Sequence, residues 1–263
     1  MTAKVDQIAD RIYRISTFVP DVGPTGFTFN QFLIDAEEPL LYHTGMRQLF
    51  PLVSEAVEQV MPVDKLRWIA FSHLEADECG AIDEFLEAAP QAQVAHGALG
   101  VMLSLQDQLA RPPRALDDGE VLEIGGATLA RRVLEVATPH VPHNWESHLF
   151  FEQETATLFL GDLLTQLGDG PAITSDNLIE QAIDAEDLFH QTSLGPAVPE
   201  TYRRLADLNP QRLAIMHGSS FEGDCSALLR EMADVYEDRY GCAPAHLSAR
   251  PLPSHDMPVG VSS

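Results

Sequence analysis

Residues 71–80 read Phe71-Ser72-His73-Leu74-Glu75-Ala76-Asp77-Glu78-Cys79-Gly80 and follow the apolar run Trp68-Ile69-Ala70. An apolar run that breaks into a polar burst reads as a buried strand ending in a loop. His73, Glu75, Asp77 and Glu78 fall within six positions, so one loop carries four side chains able to ligate a metal. Imidazole nitrogen combined with carboxylate oxygen suits iron, manganese or zinc, with no thiolate required. An acidic surface loop leading into a helix would also account for Asp77 and Glu78, because acids favour a helix N-terminus. The rest of the chain decides between the two.

Four more stretches repeat the pattern of an apolar strand running into a metal-capable residue. Leu40–Tyr42 runs into His43-Thr44-Gly45, and Arg132–Thr138 into Pro139-His140-Val141-Pro142-His143-Asn144-Trp145-Glu146-Ser147-His148. Thr157–Leu160 runs into Gly161-Asp162, and Arg212–Met216 into His217-Gly218. Singly, each reads as a hydrogen-bonded loop histidine or a turn acid. Together with the His73 loop they form a distributed constellation.

Between these points the chain alternates. Ile8–Ser16 and Phe27–Ile34 read as strands and Met46–Val60 as a helix. A helix over Ala81–Ala89, a strand over Gln93–Ala95 and a helix over Ala98–Leu109 follow. Val121–Ile124, Thr128–Val136, His148–Glu152 and Thr157–Leu160 carry antiparallel meander signals. Helical stretches near Ser175–His190 and Pro199–Leu208 precede a final strand at Arg212–Met216 and a final helix at Asp224–Tyr240. Two strand-and-helix runs flanking a meander predict two packed sheets with helices outside, an α/β fold of the αββα sandwich type. Loops after the central strands then meet at one edge, where ligand sites form. Residues 1–242 are expected to form one domain and 243–263 a Pro/Ser-rich tail.

The composition narrows the function. Of 263 residues, 45% are hydrophobic and 21% charged, as in ordinary globular proteins. The formal charge of −24 repels nucleic acid and anionic membranes, so neither is an expected partner. The three cysteines Cys79, Cys225 and Cys242 form no paired motif, which points to free thiols in a reducing, cytoplasmic setting. The sequence has neither an N-terminal apolar leader nor a membrane-length apolar run.

The combination His73-x-Glu75-x-Asp77-x-x-Gly80, His143, Gly161-Asp162 and His217-Gly218 resembles the metallo-β-lactamase superfamily. Glu75, in a slot where hydrolases of that superfamily usually carry His, makes it similar to the flavodiiron branch, whose members bind two irons and reduce oxygen or nitric oxide. The resemblance implies that His73, Glu75 and His143 hold a first metal, Asp77 and His217 a second, and that Asp162 bridges them. Two irons are the implied cofactor, with manganese or zinc as alternatives.

Two positions depart from the branch. Glu78 stands where the family usually has His, and is expected either to coordinate the second metal or to turn away and leave a water-filled position. His43 stands where the superfamily commonly has Asp, and is expected to hydrogen-bond Asp77 or Asp162 or to pack at a strand end. Glu78 and His43 are the candidates for a catalytic role. Trp145 and Phe150 read as core aromatics, with pocket lining as the alternative, and His140 and His148 are competitors of His143.

The flavodoxin-like domain of full flavodiiron proteins has no counterpart in the sequence, so no bound flavin is expected and electrons would come from a separate protein. The expected function is a di-iron protein that binds or reduces dioxygen or nitric oxide. The alternatives are a di-metal hydrolase of the same fold and a non-catalytic oxygen or redox sensor. A homodimer fits the prevalence of closed symmetric assemblies.

Overall fold

The computed structural model describes residues 1–126, 130–193 and 195–240. The chain opens with strands β1 (Ala3–Ala9), β2 (Ile12–Val19), β3 (Phe27–Ile34) and β4 (Leu40–Tyr42), then helix α1 (Phe50–Glu58) and strand β5 (Trp68–Ala70). Helices α2 (Ala76–Cys79) and α3 (Ile82–Ala88), strand β6 (Gln93–Gly97), helices α4 (Ala98–Gly100) and α5 (Gln106–Gln108) and strand β7 (Arg114–Leu116) follow. The second half runs through β8 (Val121–Glu123), β9 (Arg132–Ala137), β10 (His148–Glu152), β11 (Thr157–Phe159) and β12 (Ile173–Thr174). It closes with α6 (Ile179–Phe189), α7 (Ala197–Asp207), β13 (Arg212–Ala214), β14 (Ser220–Glu222) and α8 (Cys225–Tyr240).

The strands form two seven-stranded sheets, β1-β2-β3-β4-β5-β6-β7 and β12-β14-β13-β11-β10-β9-β8. The residue alternation of the central strands explains why the sheets stack. In β3, Phe27, Phe29 and Leu33 join the cluster beneath α1 and α3, while Phe32 and Ile34 join the cluster between the sheets. In β11 and the strand end after it, Leu158 and Leu160 face the cluster beneath α6–α8 and Phe159 faces inward. Strands covered on both faces read as continuous apolar runs. Tyr42, Phe32, Phe150 and Phe159 fill the middle layer, with ring centroids 5.0–5.5 Å apart. Edge-on and offset ring pairs at this range add attraction beyond area burial.

β4, β5, β6 and β7 run parallel, as do β11 and β13. β9 and β11 flank β10 antiparallel and therefore point the same way. Parallel neighbours place their C-terminal ends at one sheet edge, so the loops carrying His43, His73, His143, Asp162 and His217 emerge at one rim. The sheets are tied there by backbone bonds from Asn30 N–H to Met216 O (3.0 Å) and from His148 N–H to Ser72 O (3.0 Å).

Several expectations are corrected. The single strand read over Ile8–Ser16 is a tight hairpin, because Arg11 adopts a left-handed backbone (φ 55°) and reverses the chain between Ala9 and Ile12. Period-two alternation cannot distinguish a straight strand from two strands around so short a turn. Arg212–Met216 is not the last strand, since β14 follows it. The helix expected over Ala98–Leu109 runs without a gap from Ala98 to Gln108, but its middle, Val101–Leu105, is a π-helical turn. The first residues expected in the Thr128–Val136 strand and the tail expected over 243–263 lie outside the described residues.

Candidate metal centre

His73 and Glu75 leave the end of β5, and Asp77 and Glu78 sit in the single turn of α2. The Nε2 of His73 lies 3.0 Å from Glu75 Oε2 and 3.5 Å from Asp162 Oδ2. His143 Nε2 is 3.3 Å from the same Glu75 oxygen. One ligand atom from each of His73, Glu75, His143 and Asp162 falls within 4.8 Å of all the others. The second oxygen of Asp162, Oδ1, lies 3.1 Å from His217 Nε2, which is in turn 3.3 Å from Asp77 Oδ2. Asp162 thus turns one oxygen to each of two histidine-centred groups.

The far side of each imidazole is fixed by an acceptor. His143 Nδ1 lies 2.8 Å from Gln191 O and His217 Nδ1 2.8 Å from Thr28 O. His73 Nδ1 lies 2.9 Å from Ser72 Oγ. A carbonyl at Nδ1 keeps the proton there and leaves the Nε2 lone pair facing the cluster, the arrangement by which metal-binding histidines are oriented. Phe27 stacks on the His217 ring at 4.2 Å. Gly218, at φ +100°, permits the turn after His217, where a Cβ would lie 2.6 Å from Gln166.

The electrostatics match a site built for cations. Burial pulls the His73 pKa down, but Glu78, Glu75 and Asp162 raise it to about 10. Burial likewise opposes His217, which Asp162 and Asp77 lift to about 10. Hydrogen bonds from His143 and His73 hold Glu75 down at about 2. Burial raises the Asp162 pKa, but His217, His73 and His143 outweigh it and the net shift is downward. Without cations the carboxylates keep protons on the imidazoles. Metal ions would displace those protons and neutralise the same carboxylates. The donor set is nitrogen and hard oxygen. Cys79 adds no thiolate, because burial and Glu78 push its thiol up to about 12. His73 and His217 are buried, whereas the Glu75 and His143 side chains are 49% and 27% exposed, so the centre opens on their side.

Other candidates fall elsewhere. Glu78 is fully buried and stands apart from the converging atoms, with Oε1 3.3 Å from the rear nitrogen of His73. His43 is buried with Nε2 3.6 Å from Glu78 Oε1. It faces Glu78 and not Asp77 or Asp162, and packs at the strand end against the Tyr42 ring, the alternative expected for it; burial lowers its pKa to about 3. His148 is buried 3.5 Å from Glu135 and His140 is exposed, and of the three it is His143 that lies in the cluster. Phe150 is core as expected, but Trp145 is 44% exposed. Sequence reading missed Ser72, Gln191 and Glu146, whose Oε1 accepts the Leu74 N–H at 2.9 Å and ties the His143 loop to the His73 loop. Glu146 lies in the segment that drew attention to His143. Gln191 left no signal, because 48 residues separate it from the histidine it orients.

Two helix-covered sheets with a His/Glu/Asp cluster at their shared rim define a metallo-β-lactamase-like fold with a candidate metal centre. The family model described as ODP family beta lactamase matches residues 27–218, and the chain belongs to that family. The rubredoxin-oxygen oxidoreductase of Megalodesulfovibrio gigas is 22% identical over 228 residues, covering 83% of this chain and 56% of that protein. The flavodiiron protein from Giardia intestinalis superposes with a TM-score of 0.73 at 15% identity, over 90% of this chain and 60% of that one. The metal-soaked flavodiiron core from Synechocystis sp. gives 0.72 at 18% identity, over 90% and 60%. These likenesses bear out the αββα sandwich. The chain spans little more than half the length of the curated relative from Megalodesulfovibrio gigas.

Proposed function

We propose that this chain is a non-haem di-iron protein that binds or reduces dioxygen or nitric oxide, with electrons arriving from a separate redox protein. The observation that carries the reading is the division of Asp162, one oxygen 3.5 Å from His73 Nε2 and the other 3.1 Å from His217 Nε2. A carboxylate so divided suits a two-metal centre, in which the ions sit about 3.5–4 Å apart. His73, Glu75, His143 and Asp162 would hold the first ion; Asp77, Asp162 and His217 the second. Four nitrogen and oxygen donors that include Glu75 favour iron or manganese over a softer metal. The name of the relative from Megalodesulfovibrio gigas, pairing rubredoxin with oxygen, supports both the gas and the protein donor.

When bound, an iron pair supplies electrons and positive charge to a small ligand. The chain's own residues orient and shield. Gln191 O, Thr28 O and Ser72 Oγ set the three ring orientations, and Phe27 closes one side of His217. The exposed edge at Glu75 and His143 gives the entry path.

The test is anaerobic loading with ferrous iron, then addition of oxygen or nitric oxide. Two irons per chain and a change in charge-transfer absorbance are expected. Stoichiometric zinc from metal-balanced expression, with no gas response from the iron-loaded protein, would refute the reading in favour of a hydrolase.

A further inference from the structure

Glu78 is the one carboxylate of the His73 loop that does not reach the cluster, and its hydrogen bonds turn it back towards the base of that loop, with His43 Nε2 3.6 Å from its Oε1. Its Oε2 accepts the backbone N–H of Ser72 at 2.9 Å and of His73 at 2.8 Å. Its Oε1 accepts the Ser72 hydroxyl at 2.5 Å. Its backbone carbonyl accepts the Thr44 N–H at 2.6 Å. A hydroxyl has one hydrogen to give. A Glu78 carboxylate takes it, so towards His73 Nδ1, 2.9 Å away, Ser72 then only accepts. Nδ1 is then the nitrogen that keeps its proton, and Nε2 the one whose lone pair a cation would take up.

We infer that Glu78 is a positioning residue and not a metal ligand: through Ser72 it sets the proton of His73 on Nδ1, and through two amides it fixes the strand end from which His73 projects. The inference rests on the two-metal reading above and specifies how that centre is built. The second ion is left with three protein ligands, Asp77, Asp162 and His217, against four for the first. The second ion would therefore have one more position open to a small ligand than the first.

Glu78→Gln tests this with nearly unchanged shape. The two backbone N–H groups require an oxygen at the Oε2 place, so the amide nitrogen takes the Oε1 place and donates to Ser72 Oγ. Ser72 is then free to donate to His73 Nδ1, which moves the ring proton to Nε2 and blocks the metal-binding lone pair. Ser72→Ala, by contrast, leaves Oε1 as an acceptor 3.3 Å from Nδ1.

The full chain is titrated anaerobically with ferrous iron, and bound metal is counted. Glu78→Gln is expected to lose affinity for one ion by about 10- to 100-fold, the usual effect of removing an orienting partner, while Ser72→Ala keeps both. Asp77→Ala removes the second ion, so the double variant Asp77→Ala/Glu78→Gln should hold neither tightly. If the double variant binds like Asp77→Ala alone, Glu78 serves the second ion and the inference is overturned. Undiminished binding of both ions by Glu78→Gln also overturns it. A native protein that binds a single ion refutes the two-metal reading instead; Glu78→Gln must then still weaken that ion, and failing to do so overturns the positioning role. Should Glu78→Gln not fold, anomalous scattering from crystals of the iron-loaded native chain decides, since a Glu78 oxygen within about 2.5 Å of an ion, a bonding distance for a carboxylate, would overturn the inference.

Discussion

Glu135 offers a test of the interior that is independent of the metal centre. It lies on β9, 1% exposed, with Oε1 3.5 Å from Nδ1 of the equally buried His148. Asp118 and Arg204 face it from the surface side. Burial raises the Glu135 pKa from 4.5 to about 9, Asp118 adds to the rise, and Arg204 and the Gly119 amide oppose it. Burial and the neighbouring His96 lower the His148 pKa. The pair is therefore a neutral acid beside a neutral imidazole, not an ion pair. Below pH 4.5 the carboxyl is protonated in both folded and unfolded chains, and the shift costs nothing. Between pH 4.5 and about 9 the folded protein keeps a proton that the unfolded chain has released, so stability falls as pH rises. Each unit is worth about 1.4 kcal/mol, which amounts to roughly 3 kcal/mol at pH 7. Glu135→Gln keeps the shape and abolishes the titration. The variant should therefore exceed the parent by up to roughly 3 kcal/mol at pH 7 and by little at pH 5. Denaturant melts of both proteins at pH 5, 6, 7 and 8 measure the difference. A gap that does not widen with pH, or a variant less stable at pH 8, would refute the reasoning and mean that Glu135 is ionised against His148 in the folded state.

Three further predictions concern the rim. Asp162→Ala should abolish binding of both ions while Glu75→Ala removes one, because Asp162 alone turns an oxygen to each group; metal counts per chain read this directly. Gly161→Ala should destabilise the protein by about 1–3 kcal/mol, as expected for an alanine held at φ +51° with its Cβ 2.3 Å from Ser72 Oγ, and a thermal melt would show it. Trp145→Ala should change stability by less than about 0.5 kcal/mol, since the ring is 44% exposed and surface substitutions rarely do more; a larger loss in the same melt would mean the ring is packed in solution.

The sequence by itself determined the layer order and the strand ends that carry the clustered side chains. Apolar runs closed by His73, His143, Asp162 and His217 were legible because a strand buried on both faces leaves a continuous signal and its polar exit stands out against it. The short strands β7, β12 and β14, of two or three residues each, and the β1–β2 hairpin left no comparable signal, because period-two alternation needs length. Only the tertiary structure decided what the polar residues do. Glu78 and Asp77 are adjacent in sequence, yet Asp77 reaches His217 while Glu78 turns back under His73. His43 meets Glu78, and His148 is drawn to Glu135 in the middle layer. Which nitrogen of an imidazole faces the cluster depends on an acceptor supplied by another segment, Gln191 for His143 and Thr28 for His217. Hydrogen-bond partners of that kind are chosen by the packing of two sheets, and residue spacing along one chain carries no record of them.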